Sequence, residues 1–285
     1  MLNAQETKWL SRFIEDGFKE DVGQGDHTSL ACIPPDARNT ARLLVKDHGI
    51  LAGVDVAKAI LLAADPACTI NQYQEDGARV KPGETAFEVE GNTQALLQAE
   101  RLLLNTMQRM SGIATETRKY CDEVAGLPVR ILDTRKTTPL LRFLEKWAVR
   151  IGGGENYRSG LYDWFMIKDN HIDACGGIRK AIERIAAYQQ AKGLSLNVTV
   201  EVRNLEELSE VLDTGNVTRI MFDNFNPASL REAVKLTGKR FETEASGGIT
   251  LNTLREYAAT GVDFISIGAL THSFKSLDLS FKMKR

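Results

Sequence analysis

The chain has 285 residues, of which 43% are hydrophobic and 26% charged, and a formal net charge of -2. That length suits one large domain or two modest ones with a sizeable core. The near-neutral balance argues against a general nucleic-acid coat or a polybasic membrane binder, but leaves a small acidic substrate open. No apolar run approaches the roughly 20 residues that a membrane helix needs. The first residues show no basic start leading into an apolar stretch, so no signal peptide is expected. Cys32, Cys68, Cys121 and Cys175 are scattered, with no CxxC pair. Reduced thiols in a cytoplasmic protein are the expectation.

In chain order, Trp9, Leu10, Phe13, Ile14 and Phe18 recur at helical spacing, and the glycines of "EDVGQGDHTS" end that helix. "TARLLVKDHGILAG" reads as strand and "VDVAKAILLAAD" as a short helix. "TINQYQEDGARVKPGETAFEVEG" reads as strands joined by Gly and Pro turns. From Thr93 to about Val124, Leu96, Leu97, Leu103, Leu104, Met107 and Met110 share a broad helical face, which Gly112 is expected to interrupt.

The rhythm then changes. "VRILDTRK", "WFMIKDN", "NVTVEVRN", "RIMFDNF", "RFETEASGG" and "DFISIGAL" are short β-like runs, each ending in a polar or charged residue. From Glu201 to Asp223, to Glu244, to Gly268 the step is about 22 residues, as in repeated βα units. "NLEELSEVLDTG", "NPASLREAVKLTG" and "TLNTLREYAATG" fit the intervening helices, the first two opening on an Asn suited to N-capping. Serial βα units imply a parallel sheet, either a barrel or an open doubly wound sheet. In a barrel the working residues gather at the C-terminal strand ends. Those ends carry Arg135, Lys136, Lys168, Glu201, Asp223, Glu244 and Ser246.

The chemistry of those ends is suggestive. Arg135 offers a planar fork suited to a carboxylate, with the compact charge of Lys136 beside it. Singly, these two residues, Arg158 and Lys168 read as solvated charges; gathered at one mouth they favour a ligand with more than one negative charge. Glu201 and Asp223 fit either a hard cation bridging to phosphate oxygens or ordinary ion pairing with the neighbouring cations. "EASGGI" and "SIGALTHS" each put Gly after a strand, where bare N–H groups can hold a phosphate. "RIGGGENYRSG" reads as a mobile or tightly turned loop. His171 reads as an ordinary hydrogen-bonding residue. Neither HExxH nor a P-loop occurs.

Together, "ERLLLNTMQRMSGIAT", "LDTRKTTPLLRFLEKWAVRIGGGENYRSGL", "MIKDNHI", "VEV", "FDN", "EASGGI" and "ISIGALTHS" stand in the order seen in the quinolinate phosphoribosyltransferases. These are also called nicotinate-nucleotide pyrophosphorylases (carboxylating). The chain resembles that family over nearly its whole length. The resemblance implies an N-terminal α/β sandwich over residues 1–112, joined by the C-terminal segment 273–285, and an incomplete α/β barrel of parallel strands over 113–272. It implies a homodimer whose active sites are each completed by the neighbour, and Mg²⁺ as cofactor. The implied reaction joins quinolinate to phosphoribosyl pyrophosphate, giving nicotinate mononucleotide, pyrophosphate and CO₂.

By the same resemblance, Arg135, Lys136, Arg158 and Lys168 surround quinolinate, and Arg101 is supplied across the dimer interface. Glu201 and Asp223 attend the metal-bound ribose pyrophosphate, and Ser246, Gly247, Gly248 and Gly268 form the phosphate loops. Lys136, Lys168, Glu201 and Asp223 are the implied catalytic set. One departure stands out: the family commonly has Asn-His-Arg where this chain has Asn156-Tyr157-Arg158. Tyr157 can donate a hydrogen bond but cannot become cationic near neutral pH, so it is kept as a possible substrate contact. Alternatives are a related enzyme acting on nicotinate, a barrel aldolase with Lys168 as Schiff-base nucleophile, and a catalytically silent phosphate-metabolite binder.

Overall fold

The computed structural model describes residues 4–284. In chain order the elements are α1 (Ala4–Asp21), α2 (His27–Cys32), β1 (Arg38–Val45), β2 (Gly49–Ile50), α3 (Val54–Ala64), β3 (Thr69–Gln72), β4 (Arg79–Val80), β5 (Thr85–Asn92) and α4 (Thr93–Glu123). Then come β6 (Arg130–Leu132), α5 (Arg142–Gly152), β7 (Phe165–Ile167), α6 (Asp169–Cys175), α7 (Ile178–Lys192), β8 (Val198–Val202), α8 (Leu205–Thr214) and β9 (Arg219–Asp223). The chain finishes with α9 (Pro227–Thr237), β10 (Glu242–Ser246), α10 (Leu251–Ala258), β11 (Phe264–Ser266), α11 (Ala269–His272) and β12 (Leu279–Met283). They fall into two compact units: Met1–Arg118 with Pro139–Gly153 and Ser273–Arg285, and Lys119–Thr138 with Gly154–His272.

The first unit is built on an antiparallel sheet in the order β12-β1-β5-β3. Alternation along β1 buries Ala41, Leu43 and Val45 on one face. Leu96, Leu103, Met107, Met110 and Ile113 of α4 are buried as well, together with Ile60 and Leu61 of α3. Contrary to expectation, Gly112 does not interrupt α4, which runs unbroken from Thr93 to Glu123. Glycine is needed there for closeness: a Cβ would stand 2.9 Å from Phe274 Cδ2 and 3.0 Å from the carbonyl carbon of Lys275. Helix α5 groups with this unit, although the sequence boundary at residue 112 would put it in the other. Phe143 packs on Trp9 and Phe13 at centroid distances of 6.0 and 6.2 Å, and the buried Glu145 accepts from Arg109 Nε at 3.0 Å. The glycine run after α5 is tight rather than loose: Gly152 is buried, and Gly153 ends the helix with φ 97°.

The second unit holds one fully parallel sheet in the order β6-β11-β10-β9-β8-β7. These six strands are the six runs read from the sequence. Strand β11 returns to pair with β6, so the sheet curls round to leave a single gap, between β6 and β7. The backbone of Glu155 fills part of that gap: its N–H donates to Ile131 O at 2.8 Å and its carbonyl accepts from Asp133 N at 3.1 Å. The result is an incomplete α/β barrel. Asn204 and Asn226 cap α8 and α9 as expected, each side-chain oxygen accepting from backbone N–H groups of the first turn.

Gly112→Ala isolates the cost of close packing. Helix propensity alone would favour the alanine by about 1 kcal/mol. Overpacking against a backbone that cannot retreat costs about 1–3 kcal/mol. A net loss of stability in urea denaturation is expected; a gain would show that the contact yields.

Candidate active site

In the parallel sheet, register decides which side chains share the C-terminal rim. Asp223 lies opposite Ser246, Glu201 opposite Met221, and Ser266 opposite Leu132. Because side chains alternate, Asp223 shares a face with Met221 and hence with Glu201. Lys168 follows β7 immediately, and its Nζ meets Glu201 Oε2 at 2.6 Å. Lys168 is thus tied to a largely buried carboxylate.

Arg135 follows β6, and Arg158 lies in the loop that leads to β7; both are half-buried. Burial, and then the charge of Arg135, pull Arg158 below the ordinary arginine range, so the two guanidiniums lie within each other's field. Arg158 Nη1 also donates to Trp164 O at 3.3 Å. Lys136 is exposed and fixed through its backbone: its carbonyl accepts from Thr271 Oγ1 at 2.9 Å. Its aliphatic stem crosses Gly268, where an added Cβ would stand 3.0 Å from Lys136 Cδ.

The loop after β10 is equally constrained. Gly247 has φ 96°, and a Cβ there would sit 2.8 Å from Asn224 N. Only glycine tolerates both conditions. Gly248 follows with φ 61°. Asn224 N donates to Ser246 O at 2.9 Å, and Asn224 Nδ2 donates to Asp223 Oδ2 at 2.7 Å. Ser246, Gly247, Gly248 and Asp223 thus form one tied corner.

The second unit accordingly brings together Arg135 with Arg158, Lys168 with Glu201, Lys136 with Gly268, and Asp223 with the Ser246 corner. Arg101 belongs to the first unit, exposed on α4. Glu244 is not at the mouth. It lies one alternation below Ser246, about 7 Å deeper along β10, fully buried and paired with Arg219 Nη1 at 3.2 Å. Burial pushes its carboxyl above the ordinary range, opposed by Arg219. Tyr157 also lies beneath the rim. It is 7% exposed, in an apolar floor with Leu132, Met221 and Phe264 against which Trp164 and Met166 pack. Its hydroxyl lies 2.6 Å from Thr199 Oγ1. Burial drives its phenol far above the ordinary range, so it stays protonated. His171 turns its Nδ1 to accept from Lys168 N at 3.0 Å, a helix-capping contact that suits the ordinary role expected of it.

Sequence reasoning missed several groups that hold the rim. Asp133, fully buried, accepts from Asn156 Nδ2 at 2.6 Å and from Tyr157 N at 2.8 Å. Asp163 accepts from Ser159 N at 2.7 Å and Gly160 N at 3.0 Å. Arg219 pairs with Glu242 at 2.7 Å and lies 3.8 Å from the centroid of the Phe264 ring. Parity along β9, two steps below Asp223, was the available signal for Arg219. The Asp133 and Asp163 contacts had none, since they depend on the path of the loop.

Comparison with known proteins agrees with this architecture. The model of the quinolinate phosphoribosyl transferase N-terminal domain matches residues 26–111, and that of the C-terminal domain matches residues 113–282. The quinolinate phosphoribosyltransferase [decarboxylating] 2b, mitochondrial, of Nicotiana tabacum is 45% identical over 295 aligned positions, covering 98% of this chain and 84% of the relative. The probable nicotinate-nucleotide pyrophosphorylase [carboxylating] of Bacillus subtilis is 45% identical, covering 95% of this chain and 92% of the relative. Among solved structures, NadC from Streptococcus pyogenes superposes with a TM-score of 0.90 at 35% identity, covering 97% of each chain. With both domain models matched in order across most of the chain, this protein belongs to the quinolinate phosphoribosyltransferase family.

Proposed function

We propose that the chain transfers the phosphoribosyl group of phosphoribosyl pyrophosphate to quinolinate with decarboxylation, releasing nicotinate mononucleotide, pyrophosphate and CO₂ in de novo NAD biosynthesis. The observation that carries this reading is the set of four cations, Arg135, Lys136, Arg158 and Lys168, at the ends of β6 and β7 and in the loop between them, with Lys168 paired to Glu201 at 2.6 Å. Two half-buried guanidiniums in each other's field repel, and a dicarboxylate lying between them converts that repulsion into attraction on both sides. Quinolinate carries two adjacent carboxylates on a flat ring and suits such a fork.

Glu201 and Asp223 face the sugar. Among the described residues no group of three His, Cys, Asp or Glu side chains could hold a metal ion by itself. Two carboxylates on adjacent strands, both hard oxygen donors, do fit a Mg²⁺ that arrives with the pyrophosphate oxygens. When bound, such an ion neutralises charge growing on the departing pyrophosphate. Lys136 and Lys168 supply fixed positive charge to the same leaving group. The Ser246–Gly248 corner and Gly268 present backbone N–H groups to phosphate. As the pyridine nitrogen attacks C1′ of the ribose, positive charge spreads over the sugar ring, where Glu201 and Asp223 oppose it. Once quaternised, that nitrogen stabilises the electron pair left on C2 as the carboxylate there leaves as CO₂, and C2 then takes up a proton from water. Arg135 and Arg158 hold the remaining carboxylate and keep the ring in register.

Arg101 acts across a homodimer interface in this reading, completing the neighbour's mouth. Tyr157 acts from below rather than as a direct contact. The four cysteines are scattered with no CxxC pair, which suits a reducing compartment, and we assign the protein to the cytoplasm on that basis. No helix among the described residues is long and apolar enough to cross a membrane.

The deciding experiment mixes the protein with Mg²⁺, phosphoribosyl pyrophosphate and quinolinate, and follows CO₂ and nucleotide together. Equal yields of both are expected, with nicotinate left unconsumed. Turnover of nicotinate, or nucleotide without CO₂, would overturn the reading. Excess EDTA is expected to abolish turnover; full activity in its presence would remove the metal role from Glu201 and Asp223. Arg135→Ala loses a charge-assisted contact of about 1.5–3 kcal/mol, so calorimetry should show quinolinate binding weakened by roughly 10- to 100-fold.

A further inference from the structure

Arg158 stands where electrostatics alone would not leave it. Its guanidinium shares a half-buried position with that of Arg135, and repulsion tends to drive the two apart. Its hold on the sheet passes through its neighbours. Tyr157 precedes it, and Trp164, whose carbonyl accepts from Arg158 Nη1 at 3.3 Å, closes the loop six residues later. Both rings turn inward, edge to face at 5.4 Å and 83°. Both end on one hydroxyl: Trp164 Nε1 donates to Thr199 Oγ1 at 2.9 Å, and Tyr157 Oη lies 2.6 Å from the same atom.

The chemistry of these groups orders the bonds. An indole N–H only donates, so Thr199 Oγ1 accepts from Trp164. The Thr199 proton is then available to Tyr157 Oη. The phenolic proton is firmly retained. Thr199 lies in the middle of β8, two residues before Glu201 and fully buried. A hydroxyl inside a barrel strand that receives both ends of one loop is a poor accident. A valine of the same shape would fill the space better and carry no desolvation cost.

We infer that Thr199 is a positioning residue for the diacid substrate: its hydroxyl clamps Tyr157 and Trp164 to β8 and so fixes the loop that carries Arg158. This rests on the quinolinate reading of the mouth and extends it to a residue that touches no substrate. The clamp governs one substrate only. Asp223 and the Ser246–Gly248 corner sit at the ends of β9 and β10, which pair with each other and not with the loop, whereas Glu201 shares β8 with Thr199.

The test is Thr199→Val, which keeps volume and β-branching while deleting the hydroxyl, with Thr199→Ser as the conservative partner. The expected result for Thr199→Val is a KM for quinolinate raised about tenfold, as for one lost hydrogen bond to a buried group. The KM for phosphoribosyl pyrophosphate and kcat should stay within about twofold, and Thr199→Ser should recover most of the loss. Amide hydrogen exchange on the same proteins should show faster exchange at Ser159 and Gly160 in Thr199→Val alone, with β9 and β10 unchanged. A wild-type KM for quinolinate in the valine variant, equal loss for both substrates, or no recovery with serine would overturn the inference. If wild-type protein does not consume quinolinate, the functional reading fails; the exchange measurement then decides the clamp alone, and unchanged protection at Ser159 and Gly160 ends it.

Discussion

Parallel pairing of the six strands of the second unit points all their C-terminal ends the same way, and the chemistry of this protein depends on that constraint. A parallel ladder fixes which residue sits beside which, and alternation fixes which way it faces. Asp223 beside Ser246 and Lys168 beside Glu201 are consequences of register. A slip of one residue in β8 would turn Glu201 and Thr199 outward together. The buried pairing of Arg219 with Glu244 and Glu242 guards against such slips, because any shift would leave a desolvated charge without its partner.

The rim divides its charges by strand. Cations cluster at the ends of β6 and β7 and in the loop that crosses the gap between them, while acids lie on β8 and β9. This separation suits two anionic reactants that must meet without exchanging places: a dicarboxylate at the cationic side, and a sugar diphosphate whose ring faces the acids and whose phosphates face backbone N–H groups. Lys168 stands at the border, paired with Glu201, and is the one cation that both sides share. Beneath the rim the interior is aromatic, with Tyr157, Phe264 and Trp164 around the Arg219 guanidinium. Such a floor keeps the charges above it strongly coupled by limiting water beneath them.

The gap between β6 and β7 is where the parallel sheet stays open. Glu155 pairs with β6 at one residue only, after which the chain is held by side chains: Asp133 at its entry, Asp163 within it, and Thr199 at its aromatic ends. A loop ordered by buried carboxylates and one hydroxyl can carry a different residue at 157 and still aim Arg158, provided the new side chain finds a partner. The tyrosine does so at Thr199.

Much of this was legible in the sequence, for reasons that are local. The six β-like runs, the Asn caps of α8 and α9, the cation pair after β6 and the glycines after β10 follow from periodicity, capping chemistry and the φ that only glycine adopts. Three features were not legible. Gly112 reads as a helix breaker because sequence does not show that Phe274 and Lys275 pass against it. Glu244 reads as a rim residue because the end of a strand and the level of a barrel mouth differ by one alternation, set by neighbouring strands. Tyr157 reads as a substrate contact because its side-chain direction depends on how Asp133 and Thr199 bend the loop. The sequence by itself determined which elements form and which charges they carry. Tertiary structure alone decided depth, since whether a side chain reaches the mouth or the floor depends on strands and loops brought alongside it from elsewhere in the chain.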